Sequence, residues 1–187
     1  MKRTALLLVI LFGYLAHVDS QKLAVKTNAI YWATATPNLS LEAAVGKRVT
    51  IDLSAGYNPF TFKENRKWKH YLIQPEIRYW LCEAFNGHFF GLHSGFSEYN
   101  VGRIPLLYNK DARKYRYEGW LTGVGISYGY QWILGNHWNL EASVGFGFVH
   151  AQYKKYDCPK CGEFKGKFHD NFFAPTKAAL SIIYLIK

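Results

Sequence analysis

From Val49 to Tyr57 every second residue is apolar, and the residues between are small or polar. Val49, Ile51, Leu53, Ala55 and Tyr57 fall on one side, Thr50, Asp52, Ser54 and Gly56 on the other. Successive side chains of a strand point to opposite faces, so this alternation predicts a strand with two unlike faces. The contrast repeats from Trp120 to Trp132, where Trp120, Thr122, Val124, Ile126, Tyr128, Tyr130 and Trp132 oppose Leu121, Gly123, Gly125, Ser127, Gly129 and Gln131. It recurs from Trp138 to Phe148, with Leu140, Val144 and Phe146 opposed to Asn139, Glu141, Ser143, Gly145 and Gly147. A soluble sheet hides its bulky residues and exposes charge. Here bulky residues oppose glycine, serine and acids, with few lysines on either face. That is the pattern of a strand whose outside meets lipid and whose inside lines a narrow polar lumen.

Breakers divide the chain into candidate strands at 23–34, 39–45, 48–58, 69–82, 88–99, 117–133, 137–153 and 174–186. Most reach the roughly 9–11 residues that a tilted strand needs to cross hydrocarbon. Gly46-Lys47, Glu83–Gly87 and Gly135-Asn136 read as tight turns, whereas 59–67, 100–116 and 154–173 read as long, basic loops. Thr36-Pro37-Asn38 reads as a short first loop on the long-loop side. Short turns on one side and long loops on the other predict an antiparallel transmembrane β-barrel of about eight strands, with both termini periplasmic.

The ends fit that placement. Lys2 and Arg3 precede the apolar stretch Ala5–Leu15, and Val18 and Ser20 are small residues at the spacing of a cleavage site. Residues 1–20 therefore read as a signal peptide cleaved after Ser20, and 21–187 as the barrel domain. The apolar stretch, about 11 residues, is too short to span as a helix, which needs roughly 20. The expected location is the outer membrane.

Composition sharpens the picture. Aromatics make up 18% of the 187 residues, glycines number 16, and the one methionine is the first residue, a mix that favours strands over helices. The formal net charge of +10 raises a nucleic-acid reading. Yet the basic residues cluster in Lys63–Lys69, Lys110–Arg116 and Lys154–Lys167, which fits solvated outer loops on an exported chain. No nucleic acid is expected as a partner. Trp132 and Trp138 bracket one tight turn, Tyr79 and Trp80 precede another, and Tyr117 and Trp120 lie toward the opposite end. Tyr79, Trp120, Trp132 and Trp138 are the candidate headgroup-level aromatics.

Several stretches resemble one family. They include Ala24-Val25-Lys26-Thr27-Asn28, Tyr31-Trp32-Ala33-Thr34, Pro37-Asn38-Leu39, Gly56-Tyr57-Asn58-Pro59, Lys69-His70, Gln74-Pro75-Glu76-Ile77-Arg78-Tyr79-Trp80, Cys82-Glu83, Phe85-Asn86-Gly87-His88-Phe89 and Tyr99-Asn100-Val101. They look like the uncharacterised outer-membrane barrel group of Bacteroides-type bacteria catalogued as a domain of unknown function, number 3575. The likeness covers nearly the whole chain after residue 20 and is densest from Leu23 to Val101. It implies a small barrel, often encoded beside fimbria and other surface-protein genes, with no known reaction and no assigned catalytic residues.

Four sets of residues carry candidate chemistry. By parity Glu76 and Arg78 share a face, with Gln74 one step away, and Asp52, Glu42, Glu141 and Lys26 point inward from other strands. Charges in a narrow interior are costly unless paired, so Arg78 is expected to gather two or more acids. A gated ion or proton path is one use of such a set. A structural plug of ion pairs is the favoured one, because side chains fill the interior of an eight-stranded barrel. Cys158-Pro159-Lys160-Cys161 reads as a local disulfide in an oxidised outer loop. Zinc would need four ligands, with only His169, Asp157 and Asp170 nearby, so no metal or cofactor is expected. Cys82 is left as a free buried or interfacial thiol. His93, Ser97, Glu98 and His150 supply the residue types of a lipid-modifying hydrolase, which would require them to converge.

The expected function is therefore a structural or surface-interaction role. Its partners would be outer-membrane lipid, lipopolysaccharide, and fimbrial or other surface proteins. The alternatives are a lipid-modifying membrane enzyme and, third, a soluble secreted carrier, which would want a large apolar interior.

Overall fold

A computed structural model describes residues 22–62, 66–102, 115–157 and 162–186. The strands are β1 (Leu23–Asn28), β2 (Asn38–Ala44), β3 (Val49–Asn58), the two-residue β4 (Thr61–Phe62), β5 (Arg66–Trp80), β6 (Gly87–Gly102), β7 (Arg116–Ile133), β8 (Trp138–Tyr156) and β9 (Phe164–Ile186). One short helix, α1 (Ala29–Ala33), follows β1. Eight of the strands form a closed antiparallel ring in the order β1-β2-β3-β5-β6-β7-β8-β9, and β9 returns to pair β1. β4 pairs only with the start of β5. Closure satisfies both edges of each strand wherever its neighbours run alongside it.

Exposure follows the parity of the sequence. Along β3, Ile51, Leu53, Ala55 and Tyr57 are exposed while Thr50, Asp52, Gly56 and Asn58 are buried. Along β8, Val144, Phe146 and Phe148 are exposed and Ser143, Gly145 and Gly147 buried. The apolar side chains are thus outside and the polar ones inside, the reverse of a soluble sheet. Ile126 is 70% exposed and Val144 64%, whereas Glu42 is fully buried and Arg78 is 1% exposed. Lumen-side glycines set how closely the walls approach. A methyl group on Gly91 would run into Glu76 and Ser127 side-chain oxygens, so its absence leaves the space where those two meet.

At the tight-turn end the interior is closed by an apolar plate of Ala24, Ala44, Trp80, Ala84, Phe85, Phe89, Ile183 and Leu185. Phe85 reaches it from the turn after β5 with φ 67°, a left-handed conformation that bulky residues rarely adopt. Its buried ring packs 6.0 Å from Trp80, which lies 4.8 Å from Phe89. At the other end Val101 and Tyr117 are buried, with Trp68, Tyr99, Tyr115 and Tyr153 against them.

Several boundaries differ from the sequence expectation. The first strand ends at Asn28 rather than 34, because the Asn28 side chain accepts the Ile30 N–H at 3.0 Å and caps α1. The long loops are shorter than expected: β6 runs on to Gly102, β8 to Tyr156, and β9 begins at Phe164. The extension of β9 from Phe164 to Phe173 lacks a strong apolar–polar contrast because both of its faces are largely open to solvent, so period two does not mark it. Trp80 and Tyr117 also point inward, while their neighbours Tyr79 and Trp120 take the opposite parity. Cys82 is a free thiol exposed in the turn after β5, so of its two expected placements the buried one does not hold.

Candidate functional site

The ring brings together six charged residues that parity places inside. Glu42, Asp52 and Glu76 sit directly opposite one another on β2, β3 and β5, three carboxylates in one row. Like charges in directly opposed positions destabilise a sheet, so this row needs cations. Arg78 supplies the main one. Its Nε donates to Glu76 at 2.7 Å, Nη1 to Glu42 at 2.9 Å and Glu141 at 2.8 Å, and Nη2 to Asp52 at 3.3 Å and Glu141 at 3.2 Å. A guanidinium has five N–H groups, and all five are used. Lys26 Nζ lies 2.6 Å from Glu42, 3.0 Å from Asp52 and 3.7 Å from Glu141.

Lys177 on β9 also joins, pairing with Glu76. It was absent from the sequence-derived set, although it shares the parity of Ser181 and Ile183 and so could have been found. Hydroxyls complete the shell: Ser40 donates to Asp52, Thr50 to Glu42 and Ser127 to Glu76. Trp80 Nε1 donates to Thr50 Oγ1 at 2.9 Å, which ties the apolar plate to the ion pairs above it. The Phe89 ring covers the Arg78 guanidinium at 4.5 Å. Four carboxylates thus face three cations among the described residues.

Next to the network lies one small cavity of about 40 Å³, lined in part by Lys26, Ser40, Asp52, Gln74, Arg78 and Tyr31. That is room for a few waters and no larger ligand. A ring of ion pairs above an apolar plate can brace the walls. It provides no continuous wide path through the interior.

The other candidates are scattered. His93 and Ser97 are buried on β6, and His93 Nε2 lies 2.7 Å from Thr176 Oγ1. Glu98 is on the outside of the same strand, and His150, on the outer face of β8, contacts Asn171 Oδ1 at 2.6 Å. The four do not converge. Tyr79, Trp132 and Trp138 are exposed on the outer surface near the tight turns. Trp120 lies further toward the long-loop end, with its ring 6.2 Å from Phe96 and 5.6 Å from His150. Cys158 and Cys161 fall outside the described residues.

Residues 5–186 match the family described as a protein of unknown function, DUF3575. The chain belongs to DUF3575. The match takes in every strand of the ring and all seven residues of the ion-pair network. No curated protein and no solved structure matches the chain.

Proposed function

We propose that this DUF3575 chain is an integral outer-membrane β-barrel, exported through a cleaved signal peptide, with a structural or surface-interaction role. The observation that carries the reading is the inversion of the ring. Charged residues such as Glu42, Glu76, Arg78 and Glu141 are inside, and Leu41, Leu53, Ile77, Leu92, Ile126, Val144 and Leu180 are exposed on the outside. Water would penalise that outer surface at roughly 25 cal/mol per Å² of apolar area, whereas hydrocarbon would not. Where strands are paired on both sides they leave no backbone group unsatisfied in lipid.

In this reading the tight turns and both termini face the periplasm, and the ends of β6 to β9 project outward. The ion pairs plug the interior, and the projecting strands and basic loops meet lipopolysaccharide, fimbrial or other surface proteins. The separation of His93 and Ser97 from Glu98 and His150 speaks against the lipid-modifying enzyme. The narrow polar interior speaks against a ligand carrier.

The test is fractionation with heat modifiability. The mature protein should sediment with outer membranes and resist SDS until boiled, then shift on a gel. A chain found with soluble periplasmic proteins and showing no shift would overturn the reading.

A further inference from the structure

Trp120 and Trp132 stand twelve residues apart on the outer face of β7. At a rise of ~3.3 Å per residue and a tilt of ~40°, that is about 30 Å along the axis, close to the height of an apolar band with its two girdles. The row through Trp120 is then the outer girdle, and the next outward-facing row stands at headgroup level. Strand pairing runs that row through Lys69, Asn100, Glu118 and Lys154, and on to Lys167 of β9. An open groove of about 520 Å³ crosses the wall here, lined by Lys69, Tyr71, Glu98, Asn100, Trp120 and Lys154, among others. That is the size of a small-molecule site and far more than one phosphate fills.

Charge is sorted along this row. Lys67 and Lys69 share one face of β5 at one end, and Lys154 and Lys167 stand directly opposite each other at the other. None of the four lies within ion-pair distance of an acid among the described residues. Partial burial, Arg116 and Lys69 push the Lys67 pKa down, outweighing Glu118, as expected where cations crowd without a counter-charge. The acids are in the middle. Glu118 stands beside Lys154 but is held by Arg116 at 3.3 Å, and Glu98 lies between Tyr71 and Trp120 one row lower. Neighbouring strands are ~4.8 Å apart, so three spacings place the two lysine ends about 14 Å apart. Below the groove the same wall presents Ile73, Phe96 and Val124 outward.

We propose that this groove binds the headgroup of an outer-leaflet lipid built on a disaccharide with a phosphate at each end. Lys67 and Lys69 hold one phosphate, and Lys154 and Lys167 the other. Sugar hydroxyls between them donate to Glu98 and Glu118, a sugar ring packs on Trp120, and the acyl chains run down over Ile73, Phe96 and Val124. A soluble anion would leave that apolar strip unused. An ordinary phospholipid brings one phosphate where the wall offers two cationic ends. An acidic peptide or a nucleic acid would set negative charge against Glu98 and Glu118. The proposal rests on the outer-membrane reading and assigns its lipid contact to one wall of the ring.

The test uses the mature chain folded in detergent, a chelator to remove divalent cations, and native mass spectrometry to count bound lipid. The probes are an acylated glucosamine disaccharide with two phosphates, its monophosphate and phosphate-free forms, the same bisphosphate without acyl chains, and phosphatidylglycerol. The acylated bisphosphate should bind tightest, and loss of each phosphate should weaken binding roughly tenfold. Lys67→Gln with Lys69→Gln, or Lys154→Gln with Lys167→Gln, should lower bisphosphate binding to the level of the monophosphate and leave the heat-modifiable shift intact. Lys165→Gln, which lies beyond the groove, should leave binding unchanged. Equal binding of the bisphosphate and phosphate-free lipids would overturn the proposal. So would equal binding with and without acyl chains, equal binding of phosphatidylglycerol, or lysine variants that bind like the unmodified protein. The binding assay is independent of fractionation. Failure here with outer-membrane sedimentation intact removes the headgroup site alone, whereas sedimentation with soluble proteins removes the membrane reading.

Discussion

Arg78 Nη1 donates to Glu141 at 2.8 Å, joining β5 to β8 across the interior over 63 positions of sequence. The same nitrogen reaches Glu42 on β2 at 2.9 Å, so one guanidinium spans three walls of the ring. Both carboxylates are buried, and the row of Glu42, Asp52 and Glu76 would repel without it.

Replacing Arg78 with alanine leaves four carboxylates to Lys26 and Lys177. Breaking a buried ion pair from one side costs about 3–5 kcal/mol, and a loss of that order is expected in denaturant unfolding of the detergent-folded ring. The unmodified protein in a planar bilayer should show no steady conductance, because Trp80, Phe85 and Phe89 close the interior below the network. A stable pore would show that the plate opens.

Arginine scanning separates the two faces. Ile126→Arg, Val144→Arg and Leu53→Arg place a charge on the outer apolar surface, and each should cost roughly 2–4 kcal/mol if that surface meets the bilayer midplane. Ser127→Arg instead puts a cation among acids while removing the hydroxyl that donates to Glu76. Its penalty should depend on interior crowding and respond to Glu76→Gln in the same chain. Equal behaviour of all four in liposome insertion assays would contradict the assignment of faces.

Gly147 tests how closely the walls pack. A methyl group there would fall against the Val124 carbonyl oxygen and 2.6 Å from the Gly125 Cα, and backbone cannot move aside as a flexible side chain does. Overpacking of this kind costs about 1–3 kcal/mol or more, so Gly147→Ala should lower the refolding yield and the unfolding midpoint. Gly135→Ala, with nothing within 4 Å of the added atom, should change neither appreciably.

Deleting residues 180–187 removes the whole stretch of β9 that pairs with β1. Both strands would then present unpaired edges, which lipid does not tolerate. If the ring is an outer-membrane barrel, the truncated chain should be degraded or held in the periplasm. Replacing residues 157–167 by a short turn removes only a projecting part of the β8–β9 pair, and insertion should persist. Normal membrane levels of the first variant, measured by immunoblot, would mean that the ring closes elsewhere.

Much of this molecule is written in local alternation. The parity of Val49–Tyr57 and of Trp120–Trp132 separates outside from inside, because a strand has only two faces and a one-residue slip would invert both. The inward positions of Lys26, Glu42, Asp52, Glu76, Arg78 and Glu141 follow from the same rule, and Lys177 obeys it as well. Parity could not say which acids meet which base, since that depends on register between strands far apart in sequence and on the diameter of the closed ring. It also missed α1, where one asparagine cap outweighs a strand-like run of apolar residues. How far β8 and β9 run on past the end of β1 is likewise decided only in three dimensions. Alternation records which face of a strand is buried, whereas an edge is exposed or covered according to where its neighbour stops.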